Sequence, residues 1–453
     1  MHRLGFTLQW SAVTCLLAAG CATPPDDDTQ AIAAQVTATA SFTVLSYNVD
    51  GLPAILQDGG QPELYTPTIG QKVRDYDIVN VQEDFNSHAA LYANDNHPFR
   101  TATTGGAGIG SGLNTMSNFE FADDIDRVTW TTNSSTDGNN LTPKGFTWLR
   151  LHLAEGVYID LYNLHTNAGD SDAAFTARRA NITQLAAYIS ANSAGNAVLV
   201  FGDTNTRYTR AEDNIRDLLA VTGHDSWLDL LRGGIPPAQG SAPLLWDDPT
   251  TVLSDFSFEF VDKILFRGNR FIALTAQAYS VEDGKFRDAT GHMLSDHRPI
   301  ETTLQYTLAG NLRLGDQFGG PHGTSYSDVN ALPDHPVVRT LGLRSGNRVD
   351  QVNLGLTSGT SFVHGGTGGT AQSLTLASGE YVTKAELRAD TFNGDTRIFW
   401  ARFTTSAGRT LTGGTASGSS ASFTAPAGWQ IVGFHGRSGD ELDKVGVIYA
   451  PIP

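Results

Sequence analysis

The chain has 453 residues with 48 Gly, 18 Pro and 40% hydrophobic residues, which excludes a disordered protein and makes two globular, turn-rich domains the natural expectation. Its formal net charge of -17 creates a field that repels polyanions and counts against a protein whose whole task is gripping nucleic acid through phosphates. A phosphate-ester substrate remains admissible, because a bound divalent cation inverts the sign of the charge locally.

Residues 1–22 place His2 and Arg3 before a short apolar run that ends in small residues. This pattern predicts a secretory leader, too short to span a bilayer, and hence a secreted or cell-surface protein. Both cysteines, Cys15 and Cys21, lie in it, so the mature body has no disulfide or thiolate metal site and any metal is held by oxygen or imidazole. "LLAAGC" also resembles a lipoprotein box, with Ala18 where that motif usually has Leu; plain secretion is preferred and lipidation of Cys21 stays open. Residues 23–40 read as a polar, flexible tether.

From Ser41, strand-like and helix-like segments alternate. The runs 42–49, 76–83, 146–153, 157–166, 197–205 and 260–268 are short, rich in Val, Ile, Leu, Tyr and Phe, and bounded by turn residues, as buried strands are. Residues 172–192 space Phe175, Ala180, Ile182, Leu185 and Ile189 along one helical face. Helices covering a sheet predict an α/β layer protein. Residues 134–140 and 232–243 are loops by composition. Beyond about residue 312, Gly-rich turns separate short alternating runs with no helical period, which predicts a separate all-β domain at 312–453 after a catalytic domain at 41–311.

The apolar strands deliver polar residues at their ends: Asn48, Glu83, His165, Asp203 with Asn205, Asp262, and the pair Asp296–His297. Each alone reads as a turn, cap or partial-core residue. Together they would make a costly cluster unless a cation or substrate compensates it.

The motifs "SYNV" (46–49), "VQE" (81–83), "NLHT" (163–166), "FGDTN" (201–205), "VDKIL" (261–265) and "SDHRP" (295–299) stand in the order found in the endonuclease/exonuclease/phosphatase superfamily, which the chain resembles over residues 42 to about 306. That group includes pancreatic-type deoxyribonucleases, bacterial-type neutral sphingomyelinases and inositol polyphosphate phosphatases. The resemblance implies a four-layered α/β sandwich with its site at the edge of two facing sheets. It implies that Glu83, Asn48 and Asp296 hold Mg²⁺, with Mn²⁺ or Ca²⁺ as alternatives. Asp203 would orient or deprotonate the attacking water, Asn205 would donate to a phosphate oxygen, and Asp262 would orient His297 and favour its cationic form. His165 resembles the second histidine of the diesterase branches; the carboxylate expected to support it is not identifiable from the sequence.

"FGDTNTR" also resembles the inositol phosphatase signature through Arg207, but "FVDKIL" lacks the Trp, Cys and Arg of the matching phosphatase segment. A phosphodiesterase acting on a phospholipid headgroup or a nucleic acid is therefore favoured over an inositol-phosphate-type phosphatase, with peripheral membrane association as one expectation. The local basic concentrations, Arg178 with Arg179 and Arg207 with Arg210, read as solvated helix-face charges.

Residues 316–328, 362–387 and 429–451, with Gly-Gly turns and a closing "GRSGD", resemble the jacalin-related lectins. This implies a β-prism that binds mannose-type or galactose-type glycans without metal. The family's Gly-xxx-Asp sugar loop falls on Gly436, Arg437, Ser438, Gly439 and Asp440, with Gly319 and Gly320 in the corresponding first-sheet loop. The competing expectation is a glycan-binding protein whose first domain has lost activity.

Overall fold

A computed structural model describes residues 38–53, 60–104, 110–136, 138–246 and 248–453. The leader, with Cys15 and Cys21, and most of the expected tether lie outside the described residues.

The first domain runs β1 (Thr39–Asn48), α1 (Pro62–Lys72), β2 (Ile78–Gln82), α2 (His88–Asn94), β3 (Phe99–Arg100), β4 (Asn114–Ser117), β5 (Glu120–Phe121), β6 (Asp126–Thr129), β7 (Gly145–Ala154), β8 (Val157–His165), α3 (Asp172–Asn192), β9 (Ala197–Asp203), α4 (Ile215–Thr222), β10 (His224–Asp225), α5 (Ser226–Leu231), β11 (Asp262–Arg267), β12 (Ile272–Val281) and β13 (Ile300–Leu308). One sheet has the order β12-β13-β1-β2-β4-β3; the other has β10-β11-β9-β8-β7-β5, with β6 also on β7.

The layering follows from side-chain alternation along strands that are apolar on both faces. In β1, Phe42 and Val44 face the second sheet, while Leu45 and Tyr47 pack with Ile69 of α1 and Leu91 of α2. In β9, Leu199 and Phe201 face inward, while Val198 and Val200 meet Ile182, Leu185 and Ile189 of α3. The result is helix, sheet, sheet, helix: the four-layered α/β sandwich. Helix α3 starts where Ser171 accepts a hydrogen bond from the Ala174 N–H at 3.2 Å, a cap that contributes about 1 kcal/mol.

Near one end the two sheets are stitched by buried amides. Asn80 donates to the carbonyls of Phe201 (3.0 Å) and Tyr162 (3.2 Å), Asn163 donates to the Val81 carbonyl (3.0 Å), and Gln82 donates to Asn163 Oδ1 (2.8 Å). Such a buried polar network fixes the relative register of the sheets, because any slip breaks these bonds and leaves more amide groups unpaired.

The second domain begins with β14 (Arg313–Leu314) and is all-β. Its first group is β15 (Phe318–Gly319) and β16 (Thr324–Ser327), laid against β25 (Trp429–Ser438) and β26 (Leu442–Pro451) at the end of the chain. Its second group is β17 (Val338–Ser345), β18 (Val349–Leu356), β19 (Ser361–Gly365) and β20 (Thr370–Thr375). Its third is β21 (Val382–Phe392), β22 (Asp395–Thr405), β23 (Thr410–Gly414) and β24 (Ser419–Thr424). This is the expected β-prism.

The prism docks where β7 ends and β8 begins. Asp316 Oδ1 accepts from the Gly156 N–H (2.7 Å), His152 Nε2 (3.0 Å) and the Tyr158 hydroxyl (3.2 Å), and Arg150 bridges Asp160 (2.8 Å) to Ser325 (2.6 Å). His165 lies at the other end of the nine-residue β8, roughly 26 Å away at ~3.3 Å per residue. Among the described residues, no helix is long and apolar enough to cross a membrane.

Candidate active site

Three adjacent strands put three of the predicted residues in one row. The parallel register of β8 and β9 pairs His165 with Asp203, and the antiparallel register of β9 and β11 pairs Asp203 with Asp262. From the facing sheet, Asn48 at the end of β1 donates through Nδ2 to Glu83 Oε1 (3.1 Å) and to Asp203 Oδ2 (3.2 Å).

Asp296 and His297 lie in a bend before β13, not in the strand, so the alternation that would send neighbours to opposite faces does not apply. Ser295 sets the bend: its hydroxyl donates to the Asn48 carbonyl (2.7 Å) and accepts from the His297 N–H (3.1 Å). His297 Nδ1 then meets Asp262 Oδ2 at 2.8 Å, and its Nε2 faces Asp203 Oδ2 at 3.7 Å. Asn205 closes the row, donating its N–H to Asp203 Oδ1 (2.9 Å) and Nδ2 to Oδ2 (3.1 Å).

The backbone is strained where these groups converge. Asp50, Glu83 and Asn205 have φ of 50°, 56° and 48°, a left-handed conformation that side chains disfavour. Tight approach of the chain accompanies it: a Cβ on Gly51 would lie 2.2 Å from the Glu83 carbonyl oxygen.

The electrostatics divide the two histidines. Burial opposes charge on His297, but Asp262 and Asp203 outweigh it and hold its pKa well above the ordinary histidine value. His165 is the reverse: burial, and then the Lys144 ammonium, push it down to about 3. Asp203 is lowered, since His297, His165 and Lys144 overcome the effect of burial. Burial raises Glu83, partly offset by Lys144, and burial with Asp296 and Glu83 nearby raises Asp50 to about 7.

Lys144 is the site residue that sequence reading misses. Its Nζ lies 2.9 Å from His165 Nε2 and donates to the Thr166 carbonyl at 3.3 Å. The only signal was a charged residue in the turn before an apolar strand. Among the described residues, no carboxylate supports His165 through Nδ1, which is buried without a hydrogen-bond partner.

The arginines expected as solvated charges are internal ties in part. Arg178 is buried and pairs with Asp213 (3.0 Å), Arg210 reaches the same carboxylate (3.1 Å), and Arg207 donates to the Glu259 carbonyl. A buried guanidinium needs a carboxylate partner more than a helix face needs a solvated charge, which explains the difference.

The donor set suits a hard divalent cation. Glu83 and Asn48 touch, Asp296 is close enough to raise both Glu83 and Asp50, and crowded carboxylates are a site that a cation relieves. The atoms of Asp203, Asp262 and His297 also lie within 4.8 Å of one another, and one hydrogen bond, His297 Nδ1 with Asp262 Oδ2, joins two of them.

In the prism, the residue that meets the Gly319–Gly320 loop is Asp443, three residues beyond Asp440. Gly320 N–H donates to the Asp443 carbonyl at 2.8 Å, and a Cβ on Gly323 would lie 2.4 Å from Asp443 Oδ2. Asp443 is buried; Arg397 donates to its Oδ1 at 2.6 Å, and among the described residues its Oδ2 has no partner. Gly439 and Asp440 are exposed at the turn, whereas Gly436, Arg437 and Ser438 lie in β25, with the Arg437 guanidinium turned into the domain interface. Sequence carries two overlapping Gly-xxx-Asp matches, Gly436 to Asp440 and Gly439 to Asp443, and only the strand register separates them. The same cradle recurs at Asp350, whose carbonyl accepts from Gly366 N–H at 2.9 Å; in the third repeat Gly414 meets Phe399 instead of an acid.

Comparison with known proteins matches residues 13–239 to the endonuclease/exonuclease/phosphatase family 2 and residues 315–448 to the jacalin-like lectin domain. The chain is similar to proteins named sphingomyelinase from Mycobacterium bovis and Mycobacterium tuberculosis, 35% identical over 287 residues, covering 61% of this chain and 55% of theirs. It therefore spans about half the length of the curated relatives it matches. It is also similar to horcolin from Hordeum vulgare, 34% identical over 142 residues, 29% of this chain and 93% of that protein. Among solved structures, sphingomyelinase C from Streptomyces griseocarneus aligns with TM-score 0.39 and 18% identity, over 58% of this chain and 99% of the other.

Proposed function

Because the chain belongs to the endonuclease/exonuclease/phosphatase family 2 and carries a jacalin-like lectin domain, we propose that it is an exported, divalent-cation-dependent phosphodiesterase. Its substrate class is a sphingomyelin-type phospholipid headgroup, and its second domain brings it to glycan-bearing surfaces. The observation that carries the reading is the convergence of Asn48, Glu83, Asp203, Asp262 and His297 from two sheets on one edge.

Glu83, Asn48 and Asp296 would hold Mg²⁺, which supplies charge neutralisation at a phosphate oxygen. The residues of the chain do the rest. Asp203, kept ionised by its cationic neighbours, orients a water and takes its proton as oxygen attacks phosphorus. Asn205 presents an amide to a non-bridging oxygen. His297, held as a cation by Asp262, faces the phosphate through Nε2 and returns a proton to the leaving alcohol as the P–O bond breaks. The products are an alcohol and a phosphomonoester.

The sphingomyelinase names of the relatives support the choice of substrate over nucleic acid, as does the burial of Arg178 away from any basic stripe. A second domain that binds glycan weakly raises the enzyme's effective concentration at a surface without entering the chemistry. The test is a side-by-side assay on sphingomyelin vesicles, plasmid DNA and a phosphoinositide. Preferential hydrolysis of sphingomyelin is expected; cleavage of plasmid alone would overturn the substrate assignment.

A further inference from the structure

An ammonium group carries donors and no acceptor, and this constrains the histidine beside Lys144. Lys144 is almost fully buried in the turn before β7, where its own N–H donates to the Thr142 carbonyl (2.9 Å) and its carbonyl accepts from Trp130 (3.1 Å). That turn aims Nζ at His165 Nε2 (2.9 Å) and the Thr166 carbonyl (3.3 Å), so the lysine is held at both ends. The same Nε2 also faces Asp203 Oδ2 at 3.3 Å and Glu83 Oε1 at 3.7 Å. Left to those two carboxylates, the ring would place a proton on Nε2 and pair with Asp203. The ammonium is nearer and requires a lone pair there.

We propose that Lys144 is a positioning residue: its ammonium donates to His165 Nε2, fixes the ring as the Nδ1–H tautomer, and thereby leaves Asp203 to the attacking water. The His165 backbone is held by Trp130 Nε1, which donates to its carbonyl at 2.7 Å. The unpartnered, buried Nδ1 is the consequence: a tautomer imposed from the Nε2 side leaves its N–H unpaired. The lysine takes the place of the carboxylate expected behind this histidine, and with it the two histidines of the site divide their work. His297 carries the mobile proton and His165 is a neutral, oriented ring. The catalytic consequence rests on the phosphodiesterase reading; the tautomer does not.

The experiment uses the full chain labelled with ¹⁵N-histidine, with long-range ¹H–¹⁵N correlation of the imidazole nitrogens and His165 assigned by its absence in His165→Gln. The expected wild-type result is a pyrrole-type Nδ1 and a pyridine-type Nε2 at His165. Lys144→Met is expected to move the proton to Nε2 and to lower kcat by about a hundredfold with KM changed less than about threefold. Lys144→Arg, which retains donors, restores the wild-type tautomer. A wild-type His165 protonated on Nε2, or on both nitrogens, overturns the inference even if Lys144→Met does not fold. If wild type cleaves no phosphate ester, the functional reading falls, while the tautomer still decides this one.

Discussion

Asp123 of the first domain and Lys444 of the second form a 2.5 Å ion pair at a site closed to solvent. Arg437 joins them at 3.2 Å, and its guanidinium also binds the carbonyls of His322 and Gly323. The domains are thus locked by a desolvated charge cluster at the edge of the sandwich away from the catalytic row, and the loop carrying Gly323 is part of the same lock.

Asp123→Asn is expected to lower the unfolding free energy by about 3–5 kcal/mol, because Lys444 and Arg437 are left as buried, uncompensated cations. Burial raises the Asp123 pKa, but Arg150, Lys444 and Arg437 outweigh it and hold it below the usual carboxylate value. A depressed folded pKa means that the contribution is complete above the unfolded value of about 3.9 and is lost as pH falls through the folded one. Denaturant titrations of the variant should show a smaller loss of stability below about pH 4 than wild type. A variant within about 0.5 kcal/mol of wild type would show that the cluster does not hold the domains.

If His297 returns the proton to the leaving oxygen as proposed, the Asp262–His297 pair sets the alkaline limit of activity. A raised histidine pKa keeps the imidazolium present through neutral pH and loses it only as pH rises through that raised value. In Asp262→Asn the alkaline limb of the kcat/KM profile should move down by about one to three pH units. An unmoved limb would mean that another group gives the proton to the leaving oxygen.

In the prism, Asp443→Asn is expected to abolish retention on a mannose column and Asp440→Ala to leave it intact, with both variants hydrolysing bis(p-nitrophenyl) phosphate at the wild-type rate. Loss of retention in Asp440→Ala alone would move the sugar loop back to Gly436–Asp440.

Much of this site is legible in the chain because buried strands are written as continuous apolar runs, and their polar ends announce where an edge lies. Asn48, Glu83, His165, Asp203 and Asp262 could be found that way, and α3 spans the residues its apolar spacing predicted. What could not be read are relationships made by register and docking. Lys144 is one lysine in a turn until β7 and β8 pair and bring it to His165. Asp443 is hidden by an overlapping Gly-xxx-Asp match, and the burial of Arg178 depends on Asp213, thirty-five residues away in the chain.

The most direct test is hydrolysis of sphingomyelin vesicles by wild type and His297→Ala, each assayed as prepared, with EDTA, and after Mg²⁺ is restored. Wild-type activity should vanish with the chelator and return with the metal, and the variant should fall at least about a hundredfold under every condition. Hydrolysis that resists EDTA, or a His297→Ala enzyme as active as wild type, would contradict a site in which the two sheets join around a divalent cation.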